Sequence, residues 1–285
     1  MCRMDKVYFV RLKIQAMFRI CLFLLHACVL LTTTACQSYD KQNIGKSSRQ
    51  AVFSVQPDSA WWASSGIRLQ PVETGYEQVK LLVSQKRNAL SAAYQKGDIS
   101  LDSARKVFTL HLLNYIVPYW YGTPWSFSGY TAIPGQGSIA CGYFISTTLQ
   151  DAGVLLNRYR LAQQSPSGEA AILSLGDTIR VLRCGISDST VAALKKRLRD
   201  GLYFAGMGDS HVGYLLMWHN ELLLLHSNYT TPAKVVIQPL MQSVFAGYNK
   251  FYITDITYND RLIKNWLKGS EVPTKNVAVP TFSDW

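Results

Sequence analysis

Cysteine is scarce where it would matter. Of the six in this 285-residue chain, Cys2, Cys21, Cys28 and Cys36 lie in the first 36 residues, which leaves Cys141 and Cys184 for all that follows. That count excludes a disulfide-stapled miniature scaffold and allows one bridge at most. No CxxC or HxxxH pair occurs either. A zinc set drawn from Cys141, His211 and His226 would therefore lack the close ligand spacing that such sites use, and no metal or other cofactor is expected. Clustered positive charge is also missing. Lysine and arginine number 29 against 18 acids, but residues 1–36 hold five of those bases and one acid, so the remainder has 24 bases against 17 acids, scattered instead of grouped. Nucleic-acid binding calls for a concentrated basic stripe, so no nucleic-acid partner is expected; an excess of +7 suits an anionic wall or lipid surface. There is no internal repeat, and the one long apolar run, Ile20–Leu31, falls short of the roughly 20 residues a membrane span needs and is interrupted by His26.

That run belongs to "MFRICLFLLHACVLLTTTAC", in which Arg19 precedes the apolar stretch and small residues follow it. A basic start, a short apolar middle and a small-residue end predict a secretory signal over residues 1–36. "TTAC" resembles the lipobox of bacterial lipoproteins, with Thr33 where leucine is usual, and so points to Cys36 as a lipidation site. An ordinary cleaved signal or an uncleaved anchor are the alternatives, and Met17 is a second possible initiator. Polar residues 37–56 read as a flexible tether, residues 57–270 as the folded domain, and residues 271–285 as an irregular tail without periodicity. Export to the cell envelope, with a lipid holding the chain to a membrane, is the localisation this implies.

Helical spacing of apolar residues predicts helices over 75–96, ended by Gly97, and from Leu101 until Pro118 stops it. A loop rich in aromatics and glycine follows, then a helix from Cys141 to about Gly153, another at "SPSGEAAILSL", and a third at "SDSTVAALKKRLRDG", capped by Ser187 or Asp188 and closed by Gly201. Beyond it, "LYFAGM", "HVGYLLMW", "LLLLHSNY", "KVVIQPL" and "KFYITDI" are short β-favouring runs. Helices followed by an antiparallel sheet make an α+β domain.

Cys141 opens its helix, where the positive end of the dipole favours a thiolate, and glycines at 135, 137 and 142 leave room around it. A disulfide to Cys184 is the competing use of the same sulfur. Downstream, "HVGYLLMWHNELLLLHSN" carries His211, His226 and Asn228 on one hairpin. A two-residue turn at His219-Asn220, or a four-residue one at 218–221, places His211 opposite Asn228 and Gly213 opposite His226; a three-residue turn throws His226 to the other face. In the first register the imidazole of His226 can lean over Gly213 toward His211.

A helix-starting cysteine, a histidine in "HVG" and a further histidine in "LLHSN" together resemble the NlpC-type cell-wall cysteine peptidases over roughly residues 112–230. The resemblance implies a papain-like core with Cys141 as nucleophile, His211 as general base, and His226, or Asn228 in its place, as the group that orients His211. It also implies a tyrosine beside the thiol, with Tyr121 the first choice and Tyr130 the second. Trp125 and Gly142 fall in the substrate and oxyanion region. The family has aspartate before the cysteine and serine after it, whereas this chain has Ala140 and Gly142, and 69 residues separate Cys141 from His211. The expected reaction is cleavage of an amide in cell-wall peptide or glycopeptide through an acyl-enzyme. The alternative is a non-catalytic envelope binding module on the same fold, with Cys141 and Cys184 bridged.

Overall fold

The leucine run 222–225 shows how the sheet is built. Leu223 and Leu225 enter one core while Leu222 and Leu224 enter another. A strand that is apolar on both sides must be covered on both, and burial of each such side chain contributes about 2 kcal/mol. The computed structural model describes Pro57 and residues 59–285. The expected signal segment 1–36, with Met17 and the candidate lipidation site Cys36, and the expected tether 37–56 lie outside the described residues.

The elements run α1 (Ser59–Ser65), α2 (Tyr76–Lys96), α3 (Leu101–His111), a π-helical turn Leu112–Ile116 and α4 (Val117–Trp120). After a twenty-residue loop come α5 (Cys141–Asp151), α6 (Arg158–Ala162), α7 (Pro166–Ser174), β1 (Ile179–Leu182) and α8 (Asp188–Arg197). The sheet strands β2 (Gly201–Met207), β3 (His211–Trp218), β4 (Glu221–Ser227), β5 (Val235–Pro239) and β6 (Phe251–Asp255) follow, then α9 (Asp260–Lys268) and β7 (Phe282–Asp284). The domain is α+β, with one seven-stranded sheet in the order β5-β4-β3-β2-β6-β1-β7. Every pairing is antiparallel except β1 with β7. The larger core lies between one face of the sheet and α2, α3, α5, α7 and α9. On the other face Leu194 of α8, Leu240 and Phe245 cover Tyr203, Ala205, Leu215 and Leu224.

Local chemistry explains most boundaries. Gly97 takes φ 82° and its N–H closes onto the carbonyls of Ala93 and Tyr94, ending α2. The side chains of Ser100, Ser165 and Ser187 cap α3, α7 and α8. At the β3–β4 turn His219 and Asn220 have φ 45° and 63°, the paired positive values of a type I′ turn. Trp218 then pairs with Glu221 and Tyr214 with Leu225, the register in which His226 falls beside Gly213.

Four expectations need correction. Pro118 does not stop the helix: the π turn shifts the hydrogen-bond register, so the proline falls in the first turn of α4, where a missing N–H breaks no bond. Helix α8 ends at Leu198, which is extended, and Gly201 starts β2 instead of closing the helix. Strand β1 lies unanticipated between two helices. The tail is not wholly irregular, since Phe282–Asp284 pairs with Ile179–Val181.

Candidate active site

The approach to Cys141 is built by a loop pinned to the sheet edge. The N–H groups of Gly122 and Trp125 donate to Val235 and Ala233, and the N–H of Val235 donates back to Thr123. Ser227 of β4 donates its hydroxyl to the carbonyl of Ile139 at 2.7 Å, and the N–H of Ala140 donates to Gly129 at 2.8 Å. Gly129 is required there, because a Cβ would come within 2.6 Å of backbone atoms of Ser138 and Ile139. Ala140 is extended and α5 begins at Cys141 with no side-chain cap, so the first N–H groups of the helix stay free for other partners.

Cys141 and His211 line one cavity of about 670 Å³, together with Gly142, Glu169 and Tyr229. The backbone N–H groups of Val212, the residue after His211, and of Gly142 and Cys141 itself lie near the sulfur and favour its thiolate form. Nε2 of His211 and Nδ1 of His226 are 2.8 Å apart, and Nε2 of His226 lies 3.3 Å from Oε1 of Gln238. These contacts order the protons. A carbonyl oxygen only accepts, so His226 carries its proton on Nε2 and leaves Nδ1 bare. His211 therefore donates from Nε2, and its Nδ1 keeps a lone pair with no protein partner among the described residues. That is the tautomer a base needs.

Burial keeps the whole set uncharged. It pushes the Cys141 thiol up to about 11, against the pull of the Val212 N–H, with the nearby Glu169 carboxyl adding to the rise. Burial also holds His211 well below the usual imidazole range, assisted by His226, and lowers His226 to about 4. The thiolate expected from the helix dipole is not the resting form: desolvation outweighs the dipole here.

Cys141 and Cys184 are both free thiols, which removes the competing bridge; Cys184 is exposed and lines a separate depression with Trp285. Asn228 does not orient His211, because its amide donates to the carbonyls of Thr230 and Pro232 and its oxygen accepts from Thr230. Tyr121 lies off the cavity, packed on the main core with its hydroxyl buried and without a hydrogen-bond partner. Tyr130 is 62% exposed and also off the cavity. Trp125 and Gly142 do line it.

The tyrosine beside the thiol is Tyr229, whose ring meets that of His211 edge-on at 5.0 Å and whose hydroxyl lies 3.2 Å from that of Tyr248. The hairpin register that puts position 228 opposite 211 carries 229 next to it, so that signal was present in the sequence. Gln238 had no such signal, since the long β4–β5 connection leaves their register open. Glu169 reads as an ordinary polar residue of α7. Among the described residues no group of three His, Cys, Asp or Glu side chains is placed to hold a metal, and no helix is long and apolar enough to cross a membrane. No protein-family model, curated protein or solved structure matches the chain.

Proposed function

We propose that this protein is a cysteine hydrolase that cleaves an amide bond through a thioester, on a papain-like core of the NlpC type. The observation that carries the reading is the line Gln238–His226–His211, which favours a proton-free Nδ1 on His211, a residue that lines the same cavity as Cys141. His211 takes the thiol proton as the sulfur attacks the carbonyl carbon, and the N–H of Cys141 at the open helix start holds the resulting oxyanion. The proton passes from His211 to the departing amine as the C–N bond breaks. Water then loses a proton to His211 and attacks the thioester, releasing the acid and restoring the thiol.

The signal-like start and lipobox resemblance support a setting in the cell envelope, with the chain held to a membrane through Cys36 and facing the periplasm or exterior; cell-wall peptide or glycopeptide is the substrate class this suggests. The test is the release of new amino groups from purified peptidoglycan. Wild-type protein is expected to release them, and Cys141→Ala is expected to release none while melting at the same temperature. Absence of release by the wild type across peptidoglycan and its soluble peptides would sink the reading.

One observation favours a second reading. A thiol held near 11 is a poor nucleophile at rest, which suits a binding module whose cleft holds glycan or peptide without cleaving it. That reading expects saturable peptidoglycan binding by wild type and Cys141→Ala alike.

Gly213 gives a finer check on the relay. A Cβ there would lie 3.0 Å from Leu224 Cδ1 and 3.1 Å from His226 Cβ, pushing the imidazole off its partner. Gly213→Ala is expected to lower kcat by about 10- to 100-fold and to slow alkylation of Cys141 alongside it. An unchanged kcat would show that His226 is dispensable.

A further inference from the structure

We propose that the cavity selects ligands carrying an ammonium group, with the carboxylate of Glu169 as its partner. This rests on the hydrolase reading for its consequence, a cationic substrate, but not for its chemistry. The lining and the chain differ in charge. Among the seventeen residues that line the cavity are two acids, Glu169 and Asp209, and no lysine or arginine, although bases outnumber acids 29 to 18 in the chain. Asp209 is exposed in the β2–β3 turn, while Glu169 is only 2% exposed. Trp125 and Tyr229 are also on the lining, and aromatic rings there suit a cation, whereas the Tyr143 ring already carries Arg158.

No group among the described residues accounts for Glu169. Its Oε2 is buried with no hydrogen-bond partner, and no lysine or arginine among the described residues pairs with it. The capping position of α7 is met by Ser165 bonding Gly168, so Glu169 is not a helix cap. Arg158, on neighbouring α6, gives its Nη2 to the carbonyls of Tyr130 and Thr131 and does not line the cavity. A buried carboxyl without a partner costs several kcal/mol if ionised, and burial accordingly holds Glu169 well above the usual carboxylate range in the empty cavity. An ammonium group supplies the missing charge and lets the carboxyl ionise. Its placement also fixes where that cation would lie. A Cβ at Gly142 would sit 2.7 Å from Oε1 of Glu169, so the carboxyl rests against the turn that carries the nucleophile. A cation bound there lies within about one residue of the carbonyl that Cys141 would attack.

The test needs no knowledge of the natural substrate. Methanethiosulfonates modify a thiol when its thiolate attacks the sulfenyl sulfur, forming a disulfide and expelling methanesulfinate. The full-length protein is treated at pH 7 with the cationic aminoethyl reagent or the neutral methyl reagent, and adducts are read by mass spectrometry on the peptides holding Cys141 and Cys184. The ratio of cationic to neutral rates is expected to be about tenfold higher at Cys141 than at exposed Cys184. Glu169→Gln is expected to bring the two ratios together while leaving that at Cys184 unchanged. Should that variant fail to fold, wild-type protein serves: ethylammonium chloride is expected to slow the methyl reagent at Cys141, and sodium chloride at equal ionic strength is not. Equal ratios at the two cysteines, or a preference that survives Glu169→Gln, would overturn the proposal. Hydrolysis without cation preference would refute this inference alone, and cation preference without hydrolysis would refute only the enzymatic reading.

Discussion

Replacing His211 with alanine is expected to lower kcat/KM for amide hydrolysis by roughly 10⁴-fold, with substrate still bound. The size follows from the resting state. At neutral pH a thiol near 11 supplies almost no thiolate of its own, so nearly all attack depends on the base that removes its proton. The wild-type pH profile gives an independent check. His211 is held well below the usual imidazole range by burial, so it stays unprotonated and able to accept as pH falls past 6.5. Activity is expected to remain level there and to decline only at more acidic pH. On the alkaline side no loss is expected until the thiol titrates near 11. An acid limb centred at or above 6.5 would mean that the imidazole is solvated or paired with a thiolate, contrary to the buried neutral arrangement.

Gly142→Ala is expected to damage both stability and reactivity. The added methyl group would come 2.7 Å from Oε1 of Glu169, 2.8 Å from the carbonyl oxygen of Ala162 and 3.2 Å from its Cα. The glutamate can swing aside, but the Ala162 backbone belongs to α6, which packs on α5, so the start of α5 must move instead. Overpacking of this kind costs about 2 kcal/mol, or about 6 °C in the melting temperature of a domain this size. Because Cys141 is the adjacent residue, the same displacement shifts its sulfur from the Val212 N–H. Calorimetry together with the rate of Cys141 alkylation measures both effects. An unaltered melting temperature would show that α6 yields freely.

The parts legible in the sequence were those set by local rules. The two-residue turn at His219-Asn220 was one of the registers the sequence left open; the positive φ values at both residues select it and with it the side of the sheet on which His226 lies. Gly97 marked the end of α2, and Ser100 and Ser187 the starts of α3 and α8, because such caps are local. Long-range pairing was not legible. One partner of β1 is the three-residue β7, roughly a hundred positions away and too short to announce itself by alternation. Gln238 reaches His226 only through a diagonal contact across β4 and β5, which no pattern in a single strand encodes. Tyr121 was misplaced because the π turn prolongs the helix to Trp120, and Tyr121, the first residue past it, packs its ring on the core instead of reaching the cavity. The thiol failed to follow the dipole argument because burial depends on the walls supplied by α6, α7 and the β2–β3 turn.

Strand β4 grips both halves of the chemistry at consecutive positions. His226 holds the imidazole from one side, and Ser227, pointing the other way, fastens the peptide just ahead of the sulfur. Any flexing of this strand carries the two reactants along in common, so their separation is insulated from the breathing of the sheet. Cavity-forming changes at Leu222 or Leu224 should accordingly erode heat resistance well before they blunt turnover.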